Sequence, residues 1–100
     1  MNIEFTIGDF LQGFLEDYEL SQIKLAKLIN VDSSRINLII NNKRNISVDT
    51  DFRLCKLFGL SEGYFLRVQE EIERKKLKIQ KAIDFETIIP LKKCLLSKAG

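Results

Sequence analysis

Gln22-Ile23-Lys24-Leu25-Ala26-Lys27-Leu28-Ile29-Asn30-Val31-Asp32-Ser33-Ser34-Arg35-Ile36-Asn37-Leu38-Ile39-Ile40-Asn41 is the stretch whose spacing decides the fold. Ala26 falls where two helices cross closely and only a small side chain fits. Asn30 falls at a tight turn that wants a left-handed backbone, which Asn tolerates better than other non-Gly residues. Val31, Ile36 and Ile39 take the apolar positions that lock one helix on the next. Polar residues fill the remainder. The pattern is that of two short helices joined by a sharp turn, the second with a polar outer face.

An antiparallel helix pair from a bundle also uses a short polar turn. Charge bears on the choice, although a solvated surface with uneven charge would look the same. Residues 1–20 carry a net −5 with no basic residue, and residues 21–45 carry +4. Residues 46–71 return to −2, and residues 72–100 carry +5. The turn-bearing segment is therefore basic between acidic neighbours, and an anionic partner meets it first. This favours a helix-turn-helix whose second helix enters a DNA groove.

The rest of the chain supplies what such a unit needs. One hundred residues, 45% of them hydrophobic, make one domain with a small core. No apolar run reaches the length of a membrane span, and the first residues lack the pattern of a signal peptide, so the expected location is cytoplasmic. Cys55 and Cys94 form no CxxC pair, and Cys55 lies where a small apolar core residue belongs, as a buried free thiol. His is absent, which removes the commonest general base and metal ligand. With no phosphate-cradling Gly loop and no nucleophile beside a base, neither an enzyme nor a bound metal or cofactor is expected.

The periodicity predicts an all-α chain. A first helix starts after a Thr6/Asp9 capping box and buries Phe10, Leu11, Phe14, Leu15 and Tyr18. Ser21 caps the second helix, with Leu25, Ala26, Leu28 and Ile29 on or near its buried side. Asp32 or Ser33 caps the third, whose buried stripe is Ile36, Ile39 and Ile40. Ser47 caps a fourth, buried through Phe52, Leu54, Cys55, Leu57 and Phe58 and closed by a left-handed Gly59. Ser61 caps a fifth, with Tyr64, Phe65, Val68 and Ile72 in register. Beyond Ile72 the pattern admits one long helix or two short ones. Phe85–Ile89 reads as a short extended piece, and residues 91–100 as a frayed tail.

This order resembles a five-helix repressor-type (lambda-repressor-like) domain over residues 1–72, followed by a C-terminal helical extension over 73–100. More closely, the chain resembles HigA/VapI-type antitoxins of the Xre group. Three stretches carry the likeness: Gly8-Asp9-Phe10-Leu11 with Leu15; Leu20-Ser21-Gln22, Leu25-Ala26, Ser34-Arg35-Ile36-Asn37 and Ile39-Ile40-Asn41; and Asp49-Thr50, Arg53-Leu54, Phe58-Gly59, Phe65-Leu66 and Gln69. Where that family places Gly at the turn and after the recognition helix, this chain has Asn30 and Asn42. Positive φ is expected at one or both.

A DNA-binding role divides these residues into those that grip phosphates and those that read bases. Gln22, at the start of the second helix, is assigned to phosphate positioning. Ser33, Ser34, Arg35 and Asn37 occupy the first turns of the recognition helix. Arg can fork onto guanine and Asn onto adenine, so Arg35 and Asn37 are the expected discriminating pair. Arg35 has phosphate contact as its alternative. Leu38 either meets a thymine methyl or tucks under the loop. Asn41 and Asn42 either grip the backbone or act as local caps. Lys43 and Arg44 are assigned to phosphate.

One such helix reads few base pairs, so a homodimer on a palindromic operator is expected, joined through Tyr64, Phe65, Val68 and Ile72 with the segment 77–89. The resemblance further implies a small, basic, RelE-like ribonuclease toxin as partner. The acidic first helix, through Glu16, Asp17 and Glu19, is its expected contact. The alternatives are a stand-alone or prophage repressor with no toxin, and a protein-interaction module on the same fold.

Overall fold

The computed structural model describes residues 5–92; the Cys94 thiol and most of the expected C-terminal tail lie outside that range. Six helices follow one another: α1 Ile7–Asp17, α2 Gln22–Leu28, α3 Ser33–Ile40, α4 Val48–Phe58, α5 Tyr64–Gln80 and α6 Ala82–Glu86. No strand occurs among the described residues. α3 packs on both α1 and α2, and α5 packs on both α1 and α4.

Capping residues set most of these starts. Thr6 Oγ1 accepts from the Asp9 N–H while Asp9 Oδ2 accepts from the Thr6 N–H, so the expected box is complete. Ser21 accepts from Lys24 N–H, and Ser47 from Thr50 N–H. Asp32 precedes α3 without a side-chain cap bond.

The helix ends share one device. Asn30 and Asn42 have φ of 59° and 60°, as the sequence predicts, and Gly59 has 69°. Glu19 has φ 53°, which the sequence did not signal. In each case the next residue's N–H reaches back five residues: Leu20 to Leu15, Val31 to Ala26, Lys43 to Leu38, Leu60 to Cys55. These are Schellman stops, which satisfy carbonyls that the helix leaves open. Only one of the four left-handed positions holds Gly. Glu19→Gly is therefore expected to stabilise the fold by about 1 kcal/mol, because a Cβ in this region costs roughly that much. A thermal melt checks it, the midpoint rising by about 4–8 °C.

Leu11, Leu25, Ile36, Ile39, Leu54 and Phe65 lie at zero exposure in the core, and Ala26 is buried where α2 meets its neighbours. The Phe65 ring lies 5.2 Å from that of Phe14 and 5.8 Å from that of Phe10, joining α5 to α1. Three residues expected inside face solvent: Tyr18 at 55% exposure, Leu28, and Phe52 at 50%. α4 has apolar residues on more than one face, and only the Leu54/Cys55 side meets the core.

Two further expectations are corrected, and one that the sequence leaves open is decided. α5 starts after Gly63, not after a Ser61 cap, and Gly63 has φ 90° with no side-chain cap of its own. The cap comes from α4, where the buried Asp51 carboxylate accepts from Gly63 N–H at 2.7 Å, Phe65 N–H at 2.9 Å and Leu66 N–H at 3.2 Å. Cys55, a buried free thiol as expected, donates to the same carboxylate. The helix then runs unbroken past Ile72 to Gln80, so the stretch after Ile72 is one long helix and a short one. Phe85 and Glu86 belong to α6 and are not extended.

The far half of α5 and α6 leave the core, with almost every side chain from Glu73 to Lys92 exposed. The radius of gyration is 18.0 Å, against about 13 Å for a compact chain of this length.

Candidate nucleic-acid interface

The sharp turn between α2 and α3 presents one face of α3 outward. Ser33, Ser34, Asn37, Leu38 and Asn41 are all exposed along it. Ile36 and Ile39, on the opposite face, are fully buried. This division follows from the helical period and from Ala26, whose small side chain lets α3 settle close to α2.

Gln22 and Asn37 come together across the two helices. The Asn37 amide donates to Gln22 Oε1 at 3.2 Å. Asn41 Nδ2 caps its own helix by donating to the Asn37 carbonyl. These amides form a polar row with Ser34 on the open side of α3. Leu38 stands beside them at 37% exposure and is not tucked under the loop.

Arg35 and Asn37 are separated. Arg35 Nη1 donates to Asp49 Oδ2 at 2.8 Å and to Thr50 Oγ1 at 3.1 Å, both on α4. Arg53 Nε donates to the same Asp49 oxygen at 2.9 Å, and Arg53 Nη1 reaches the carbonyls of Ile29 and Asn30. The turn, the first turn of α3 and the start of α4 are thus tied through one carboxylate. The Arg35 hydrogen bond, followed by that of Arg53, holds the Asp49 carboxyl below the usual carboxylate range. The cluster's support is present above that range and is lost as pH falls through the lowered value.

The loop after α3 presents Lys43 and Arg44 to solvent. Asn42 turns the other way, and its Oδ1 accepts from Gly8 N–H at 3.1 Å. Its role here is to cap α1. Farther along the loop, Gln69 of α5 clasps the Ile46 backbone, accepting from its N–H at 2.7 Å and donating to its carbonyl at 3.0 Å. Asp49, Arg53 and Gln69 stood in the sequence only as points of resemblance. Apart from the i, i+4 pair that Asp49 and Arg53 make with each other, their partners lie 14 to 24 residues away, where no local pattern reports them.

Of the expected dimer residues, Phe65 is wholly in the core and has no surface to offer. Tyr64, Val68 and Ile72 are half-buried against that core. Ile79, Ile83, Ile88 and Ile89 stand exposed on the arm beyond it. Glu16, Asp17 and Glu19 are exposed on and just past α1. Among the described residues no group of His, Cys, Asp or Glu is placed to hold a metal ion, and no helix is long and apolar enough to cross a membrane.

A small-residue crossing, a left-handed turn and a polar second helix, seated among five core helices, define a repressor-type helix-turn-helix domain. The chain belongs to the helix-turn-helix family, whose model matches residues 14–65. It is 36% identical over 85 residues to virulence-associated protein I of Dichelobacter nodosus, covering 84% of this chain and 78% of that protein. Its fold superposes on an addiction-module antidote protein of the HigA family from Coxiella burnetii with a TM-score of 0.81 at 25% identity, covering 90% of this chain and all of the other. Against the Pseudomonas aeruginosa antitoxin HigA, solved with the higBA promoter, the TM-score is 0.77 at 25% identity, over 88% and 97% of the two chains. The chain spans 61% of the length of a curated Escherichia coli transcriptional regulator of this type, to which it is 32% identical over 69 residues. It is thus a helix-turn-helix domain with the fold of the HigA antitoxin structural family.

Proposed function

We propose that this protein binds a palindromic operator as a homodimer, represses its own operon and neutralises a small ribonuclease toxin of RelE-like chemistry. The observation that carries the DNA reading is the exposed polar row of α3, with Asn37 held by Gln22 at its centre. An amide at that place can pair with an adenine edge. Gln22, Ser33, Ser34 and Asn41 flank it, Leu38 is available to a thymine methyl, and Lys43 and Arg44 lie where the phosphate backbone would pass. The likeness to a HigA solved with its promoter supports the same reading.

The experiment is a pair of titrations, one with the operator and one with random duplex. Asn37→Ala is expected to cost about 1–2 kcal/mol on the operator alone and to relax preference at one or two base pairs. Lys43→Ala with Arg44→Ala should weaken both duplexes alike and flatten the salt dependence by roughly one to two units of slope. Equal losses on both duplexes for Asn37→Ala would remove it from base readout.

The homodimer reading rests on Tyr64, Val68 and Ile72 together with the exposed isoleucines of the arm, which a second copy would cover. The toxin reading rests on the acidic α1, because a protein that docks on RNA is basic. Reversing Glu16, Asp17 and Glu19 to Lys should slow association with the neighbouring gene's product and leave operator preference unchanged. If that gene encodes no small basic protein, the reading becomes that of a plain dimeric repressor.

A further inference from the structure

Arg35 sits in the first turn of α3, the end of a recognition helix that enters the groove. A free guanidinium there would reach phosphates of any sequence. Here it is held. Asp49 Oδ2 takes Arg35 Nη1 at 2.8 Å, and the Thr50 hydroxyl takes the same nitrogen at 3.1 Å. The holding site is itself fixed. Thr50 is 1% exposed, and its Oγ1 also accepts from Ser47 Oγ. Asp49 is oriented by Arg53, which in turn grips the Ile29 and Asn30 carbonyls at the turn. The pair lines a polar cleft of about 340 Å³ with Arg44, Asn45, Ser47 and Thr50, on the side of the α3–α4 loop that carries the free cations.

We infer that Asp49 is a specificity-positioning residue: it holds the Arg35 guanidinium against α4, away from indiscriminate phosphate contact, so that Asn37 alone leads base readout. The inference rests on the DNA-binding reading above. Its physical basis is a comparison of two partners for one cation. A paired Arg35 adds little to the field that DNA meets, whereas a released one adds a full mobile charge at the groove. Nonspecific affinity depends on how many phosphates are neutralised, so one more free Arg raises it and steepens its salt dependence by about one unit. Operator affinity gains less, because the helix also loses the tie that sets its angle.

The test uses the full chain with an operator duplex and a random duplex across a salt series, and four variants: Asp49→Ala, Asp49→Glu, Arg35→Gln and the Asp49→Ala/Arg35→Gln double variant. Asp49→Ala is expected to bind random duplex about 3–10-fold more tightly at 0.1 M salt, with the steeper slope, and to lose about 2–5-fold in operator preference. Damage to the fold would weaken random binding, so the gain is not a symptom of unfolding. Asp49→Glu, which keeps the charge, should recover most of the preference. In the double variant the gain on random duplex should vanish, because the released cation is gone. A gain that persists in full without Arg35 would mean that Asp49 acts only through its own negative charge, and would overturn the inference. So would an Asp49→Ala protein with unchanged preference. A wild-type protein that binds neither duplex would overturn the DNA-binding reading itself, whereas a wild-type protein that prefers its operator and an inert Asp49 would sink this inference alone.

Discussion

Asp51→Ala should unfold this protein with far less denaturant than the wild type, at a cost of roughly 3–4 kcal/mol. The carboxylate is fully buried and accepts three backbone N–H groups from the start of α5. Hydrogen bonds to a charged group are worth about 1.5–3 kcal/mol each, and a buried donor left unpaired costs about 1–3 kcal/mol. The N-terminal end of α5 adds its own attraction for a negative charge. The three bonds are not additive, which holds the figure below their sum. Asp51→Asn retains one acceptor oxygen and turns an NH2 group toward N–H donors, so about half the loss is expected. Urea titration of both variants measures this, with the slope against denaturant unchanged if only stability has moved. An Asp51→Ala protein within 1 kcal/mol of wild type would show that α5 starts without the borrowed cap.

Gly8→Ala should be the next most damaging change, by roughly 2–3 kcal/mol, although Ala is the better helix former. A Cβ at Gly8 would run into the Ile40 carbonyl oxygen, and it would meet Asn42 Oδ1 and the Ile39 carbonyl oxygen at 2.8 Å each. Two of these are backbone atoms at the end of α3, so relief requires α1 and α3 to part. Parting also stretches the Gly8 N–H bond to Asn42. Gly13 on the same helix is the control, because nothing lies within 4 Å of its added Cβ. Gly13→Ala should leave stability unchanged or raise it by about 0.5–1 kcal/mol. If both variants melt alike, the close approach of α1 to α3 is wrong.

These two residues mark the boundary of what the sequence discloses. Thr6, Ser21, Ser47, Gly59 and the left-handed backbone of the two turn asparagines were legible because each of these acts within a few residues of itself. The core stripe of α3 was legible for the same reason, as Ile36 and Ile39 share a helical period. Gly8 was visible only as a point of resemblance, and Asp51 as one of the two acidic residues in α4. Their partners lie 34 and 12–15 residues away. Glu19 gave no signal, because a charged residue does not announce a left-handed backbone. Phe52 misled because a large apolar residue at a helical position looks the same whether its face meets a core or solvent. In the candidate interface, the outward row of α3 could be read from its period. Arg35's attachment to Asp49 could not, because the charge pattern does not say which anion a cation will choose.

The loop from Asn41 to Ser47 has a consequence for how this protein can change over time. One side is fixed by Asn42 on Gly8, and the other by Gln69 on Ile46. Between them Lys43, Arg44 and Asn45 face outward without carrying the frame. Mutation at these three positions is therefore nearly free of a folding penalty, since exposed sites away from such fastenings shift stability by only about 0.5 kcal/mol. The loop's path is already set, so little ordering is left to be done when a polyanion arrives. Lineages that carry this frame can retune the strength of their grip one residue at a time, while the helix that does the reading stays where it is.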